Sequence, residues 1–407
     1  MAIRRLVYLF TPALRVSRWL AVGALLVLLM PPAYADDLWP DTPRISAKSW
    51  ALVEAHSQQV LFAKNADQEL APASLTKLMT LYLGFEAIKN KKVQPNDRAA
   101  VSKKAWKIGG STMFLEPRMT PRIDELLHGI ATFSGNDACI VLAEYLSGSE
   151  EAFADHMNAK AAILGMTHSH FMNATGWPAE GHYSSAHDMA LLGAALWRDF
   201  PEQYKLFAER DYTFDGRRQP NRNRLLWIMP EADGLKTGHT KAAGYCLVGS
   251  AKNDKTRLVS AIFGTESDAA RASQSKALLG YGLRQFTSVR PATRQLRREI
   301  EVFHGKENQL YLEPKHPVWV TIPKGMEKKL SFRLSYDSPV SAPIKKGQAI
   351  GAIEGILQMG DKQKIIDRIP MVAVRDVAEA SWFGRQWDEL RLWWKQRSAE
   401  EQQGSGE

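Results

Sequence analysis

The sequence predicts a two-domain α/β (α+β) chain, a mixed domain followed by a small all-β one, and three observations carry that reading. The 407 residues exceed one usual domain, and 45% hydrophobic content supplies core for two. Up to about residue 285, helix-period and strand-like segments alternate. Beyond Arg290-Pro291 the runs shorten, take strand character and are separated by Pro, Gly and charged turns. A charged fraction of 24% and 9% aromatics exclude a disordered or fibrous chain. Two cysteines exclude a disulfide-framed mini-domain. The net charge of +9 is spread without a Lys/Arg-rich block, so nucleic acid is not an expected partner.

Residues 1–35 have the organisation of a secretory signal. Arg4, Arg5, Arg15 and Arg18 precede an apolar run from Trp19 to Met30, and Ala33-Tyr34-Ala35 offers a small-x-small cleavage site. A run of about 12 apolar residues falls short of the roughly 20 that span a bilayer. The segment holds four of the excess positive charges and no acidic residue, so the remainder carries +5. The expected location is therefore outside the cytoplasm, where Cys139 and Cys246 could pair; two buried free thiols are the preferred expectation.

Along the mature chain, Ser46 to Lys64 reads as two strands around a turn at Ser57-Gln58-Gln59. Leu75 to Ile88 is apolar on nearly all faces, the mark of a buried central helix. Ile123 to Phe133 and Ala138 to Leu146 read as helices interrupted at Ser134-Gly135-Asn136. Ser184-Ser185 caps a further helix, Ala186 to Trp197. Tyr245 to Lys252 and Arg257 to Gly264 read as adjacent strands, and Ala269 to Leu283 as a helix. Strand runs then follow at Arg298–Phe303, Pro317–Ile322, Lys329–Leu334 and Ala349–Ile356.

The chemistry concentrates in three elements. Ser74-Leu75-Thr76-Lys77 puts a hydroxyl and an amine one helical turn apart, so a neutral lysine could activate the serine. The positive end of the helix would favour an alkoxide-like oxygen. An S-x-x-K alone is weak, and Ser273 to Lys276 is a second one. Only Ser74 is followed by Ser134-Gly135-Asn136 and then Lys236-Thr237-Gly238, placed just before a strand. Each tripeptide is expected about 0.1 times by chance in a chain of this length. Together they supply what acyl transfer needs. Ser74 and Lys77 make the nucleophile, Ser134 and Asn136 a proton relay and an amide holder, and Lys236 and Thr237 a carboxylate clamp. Backbone N–H groups of Ser74 and His239 could form an oxyanion hole.

These three motifs resemble those of the penicillin-recognising serine acyl transferases. The surrounding text narrows the likeness: Ala73 to Thr80, Ser134 to Cys139, Asp233 to Thr240 and Ser185 to Ala190 resemble a low-molecular-mass D-alanyl-D-alanine carboxypeptidase of the type-5 penicillin-binding kind. The resemblance covers essentially the whole mature chain. It implies an antiparallel sheet flanked by helices, a β-rich second domain and a C-terminal amphipathic anchor, dividing the chain at 1–35, 36–288, 289–377 and 378–407. It implies peptidoglycan stem peptides as substrate, β-lactams as covalent inhibitors, and no metal or cofactor. Thr237, followed by Gly238 and His239, matches the carboxypeptidase form of the third motif. Arg222 matches a family arginine and is a second carboxylate candidate. The basic residue some relatives carry after the strand Arg257–Gly264 is displaced here: the loop reads Thr265-Glu266-Ser267-Asp268, with Arg271 only later.

Rival readings are a DD-endopeptidase, a β-lactamase, and a non-catalytic wall- or membrane-binding scaffold. Class A β-lactamases carry S-D-N and no β domain, and this chain has S-G-N. His168 and His170 lack partners at ligand spacing and read as loop residues. In the tail, Phe383, Trp387, Leu390 and Trp394 share one helical face, with Arg385, Asp388, Lys395 and Arg397 mostly elsewhere. That pattern predicts a helix lying in a membrane surface, against the alternative of a helix packed on the β domain. The expected setting is periplasmic, on the outer face of the inner membrane.

Overall fold

The computed structural model of the protein describes residues 39–404, so the signal-like stretch 1–35 lies outside the described residues. In β1 (Ser49–Glu54) side chains alternate: Trp50 and Leu52 enter one core, Ala51 and Val53 another. A turn through Ser57-Gln58-Gln59 returns the chain as β2 (Val60–Lys64), as the sequence predicts. The hairpin β3 (Asp211–Phe214) and β4 (Arg217–Pro220) precedes β5 (Ala232–Thr240), β6 (Gly244–Lys252) and β7 (Arg257–Thr265). Five of these strands form one antiparallel sheet in the order β2-β1-β7-β6-β5, with β5 at its edge.

One face of that sheet is covered by the helix Asp268–Gln285, whose Leu278, Leu279 and Leu283 meet Leu52, Leu247 and Leu258. The other face carries the helical layer, centred on the helix Lys77–Lys89. Leu78, Met79, Leu81, Tyr82 and Phe85 bury it on nearly every side, each full burial contributing about 1.5–3 kcal/mol. The helices Ile123–Thr132, Asn136–Ser147 and Ala186–Asp199 stand where the sequence places them, the last with Ser185 accepting from Asp188 N. The helix Glu150–Ile163 escapes the sequence reading although Ser149 caps it, because its small residues give a weak apolar stripe.

Strand β5 corrects an expectation. Lys236-Thr237-Gly238 lies inside this strand, not ahead of it. Gly, Thr, His and Lys resemble a turn in one dimension, yet Lys236 and Thr237 are buried against the Ser74 turn.

No linker separates the two domains. The helix ends at Gln285 and β8 (Phe286–Val289) follows at once. The rest comprises β9 (Arg298–Glu301), β10 (Gln309–Pro314), β11 (Val320–Pro323), β12 (Leu330–Ser335), β13 (Ala349–Met359) and β14 (Lys362–Ala373). Its main sheet runs β12-β13-β14-β10-β9, while β8 pairs with β11. Gln59 reaches across with both ends of its amide, Nε2 donating to Thr321 O and Oε1 accepting from Thr321 N, each at 3.1 Å. Strands β10 and β14 escape the sequence reading; β14 is charged along its exposed face, and β10 carries a Glu and a Pro at its end.

The final helix, Trp382–Gly404, docks through its polar side. Asp388 accepts from His304 N at 2.6 Å and from Arg391, while Arg391 and Lys395 pair with Glu301. Trp382, Phe383, Trp387, Leu390, Trp393 and Trp394 face outward. Among the described residues, no helix is long and apolar enough to cross a membrane.

Candidate active site

The site forms where the edge of β5 meets the turn ahead of the central helix. Ala73 takes a left-handed φ of +48° and opens a 3-10 turn, Ala73–Thr76, that runs into Lys77–Lys89. Ser74 therefore sits in this turn and not in the α-helix itself. Lys77 still reaches it: Nζ donates to Ser74 Oγ at 2.9 Å and to Thr175 O at 2.5 Å. The lysine is wholly buried. Burial, assisted by the Arg222 charge and opposed by Cys139, brings its pKa down to about 8.

Thr175 O is delivered by a tight loop that the sequence reading passed over. Asn173 Oδ1 accepts from Thr175 N, Thr175 Oγ1, Gly176 N and Trp177 N at 2.8–3.2 Å. Gly176 has φ +80°, and a Cβ there would stand 1.8 Å from Ala73 O, so only glycine lets this loop pass beneath the serine turn. An Asn three residues before a Gly signals such a turn, but nothing in the sequence says what it touches.

Ser134 and Asn136 occupy the break between Ile123–Thr132 and Asn136–Ser147. Ser134 is buried at φ +64°, and its Oγ has no protein hydrogen-bond partner among the described residues. Asn136 donates from Nδ2 to Gly109 O and from N to Ser111 O, both at 2.7 Å. Asp137 completes the clamp by accepting from Met113 N and Leu115 N. Those bonds fix the Gly109–Leu115 loop beside the break.

From β5, Lys236 is buried, with Nζ donating to Thr237 O at 3.1 Å. Burial first, then the cations Lys77, Arg222 and Arg271, hold its pKa well below the ordinary lysine value. A Cβ on Gly238 would lie 2.9 Å from Pro72 O and 3.2 Å from Leu75 N, so this backbone edge runs directly against the Ser74 turn. The His239 side chain is exposed and stacks on Tyr245, 4.0 Å between ring centres. Arg222 is exposed beside buried Asn221 and Asn223, near enough for its charge to act on both lysines. Arg271 donates to Gly238 O at 2.9 Å.

Three further residues of the sequence motifs and cysteine count take structural places. Asp188 accepts from His168 N and Ser169 Oγ and is structural. Cys139 and Cys246 are free and buried. Among the described residues no group of three His, Cys, Asp or Glu is placed to hold a metal.

A family profile described as D-alanyl-D-alanine carboxypeptidase matches residues 37–267, and one described as penicillin-binding protein 5, C-terminal domain, matches 289–379. The D-alanyl-D-alanine carboxypeptidase DacC of Escherichia coli is 41% identical over 91% of this chain and 94% of its own length. DacA of the same organism is 39% identical, over 93% and 96%. The crystal structure of penicillin-binding protein 5 from Haemophilus influenzae superposes with a TM-score of 0.77 at 35% identity, covering 84% of this chain and all of that one. Penicillin-binding protein D2 from Listeria monocytogenes, solved in its ampicillin-bound form, has a TM-score of 0.55 at 28% identity, covering 59% and 98%.

Proposed function

This chain belongs to the D-alanyl-D-alanine carboxypeptidase family and is a serine carboxypeptidase of that kind; from that premise we propose how its residues act. Ser74 Oγ attacks the carbonyl of the penultimate D-alanine of a peptidoglycan stem peptide, and Lys77, in its neutral form, takes the hydroxyl proton. The tetrahedral oxyanion lies between the backbone N–H groups of Ser74 and His239. Ser134 passes the proton to the leaving amine, the terminal D-alanine departs, and Asn136 holds the amide on the acyl side. Lys236 and Thr237 clamp the free carboxylate, with Arg222 as the second cation, and an arriving carboxylate favours the charged form of Lys236. Water then cleaves the acyl-enzyme and regenerates Ser74. A β-lactam acylates the same oxygen.

The observation carrying this reading is the 2.9 Å contact from a fully buried lysine amine to the Ser74 hydroxyl. Incubation with penicillin followed by mass spectrometry should find one adduct, on the peptide containing Ser74, with slow turnover and D-alanine release from pentapeptide. An adduct elsewhere, or rapid penicillin hydrolysis, would overturn it.

The domain boundaries we assign are 36–288, 289–377 and 378–407, with 1–35 removed on export to the periplasm. The outward Trp, Phe and Leu side chains of the last helix support attachment to the outer face of the inner membrane. Liposome co-sedimentation with and without residues from 381 onward tests this. Binding that survives truncation would refute it.

A further inference from the structure

Arg271 stands in the first turn of the helix Asp268–Gln285, on the side of the sheet away from the nucleophile's helix, and is 7% exposed. Its guanidinium makes three contacts. Nη2 pairs with Asp268, the plane lies over the Tyr245 ring at 5.5 Å, and Nη1 donates to Gly238 O at 2.9 Å. Tyr245 in turn stacks on His239 and is its cross-strand partner.

The carbonyl that Arg271 holds and the N–H of His239 are the two ends of one planar peptide group, and they point in opposite directions. A cation donating to the oxygen draws electron density through the amide and strengthens its N–H as a donor. It also fixes the plane, and with it the direction of the N–H.

We propose that Arg271 is a positioning residue for acyl transfer, holding and polarising the Gly238–His239 peptide so that His239 N–H meets the developing oxyanion. The proposal rests on the reading of the site given above. It differs from a carboxylate-binding role, because the side chain is committed to Gly238 O, Asp268 and the Tyr245 ring.

Removing one oxyanion donor outright costs about 10²–10³ in rate, so weakening one should cost roughly tenfold. The experiment compares wild type, Arg271→Lys and Arg271→Gln at equal concentrations of penicillin-titrated sites. Two depsipeptides serve as substrates, one ending in a free carboxylate and one in a carboxamide. Arg271→Gln should lower kcat about tenfold on both, leave KM within about twofold, and be partly rescued by Arg271→Lys. A loss confined to the free acid, a change in KM alone, or an unchanged rate per titrated site with a lower melting temperature would each overturn it. If Arg271→Gln does not fold, the Arg271→Lys ratio on the two substrates reads the same distinction. Wild type that fails to titrate with penicillin would instead defeat the acyl-enzyme reading.

Discussion

The chain holds two copies of the same spacing, Ser74 to Lys77 and Ser273 to Lys276, and the structure surrounds them very differently. At the first, the lysine is buried without exposure, its amine touches the serine, and three other elements close around the pair. At the second, both residues are exposed on the helix Asp268–Gln285, and Ser273 Oγ merely donates to the carbonyl of Ala270 one turn back. Identical spacing therefore sets only who can meet whom. In the reading proposed above, reactivity comes from burial, which lowers the lysine's pKa, beside an edge strand that runs against the serine turn.

The sharpest way to break this comparison is to remove each serine in turn. Ser74→Ala should abolish penicillin labelling and D-alanine release, while Ser273→Ala leaves both near wild type. Labelling that followed Ser273 would sink the contrast. The lysines come next: Lys77→Ala should slow acylation about 10²–10⁴-fold, and Lys276→Ala should leave stopped-flow acylation rates unchanged. The wild-type rate should also climb with pH through about 8, because roughly a tenth of the Lys77 amine is neutral at pH 7. Lysine's ordinary value, 10.5, stands for the unfolded chain, which thus binds more protons between pH 8 and 10.5. Within that window this group makes stability rise with pH. A smaller effect is expected of Lys236→Ala, which should raise KM or slow acylation on substrates with a free C-terminus. Equal activity on a free-acid peptide would remove Lys236 from the clamp. Smallest in its reach on the chemistry is tail truncation, which should leave kcat on small peptides near normal.

Much of the fold could be read in advance because periodicity and capping declare themselves locally. The central helix, the Ser185 cap and the two strands around residues 253–256 are of this kind. What stayed hidden depends on partners distant in sequence. Strand β5 looks like a turn until the Ser74 turn and β6 bury its lysine and threonine. Asn173 and Thr175 carry no signature for holding a lysine 98 residues away. For the tail the sequence offers a membrane helix or a docked one; the fold docks its polar side on the β domain and leaves the apolar residues facing outward. For the site, residue types and order name the participants, but only the fold shows that Lys77 is sealed from solvent.

The junction at Gln285–Phe286 has a mechanical consequence. A helix passes directly into a strand that pairs with β11, Lys324 N binds Gln285 O at 2.8 Å, and Gln59 grips Thr321 from the other side. No slack residues separate the halves, so the height of the β domain fixes how far the Ser74 turn stands from the last helix. Inserting a few residues after Gln285 would release that distance and let the two halves turn independently.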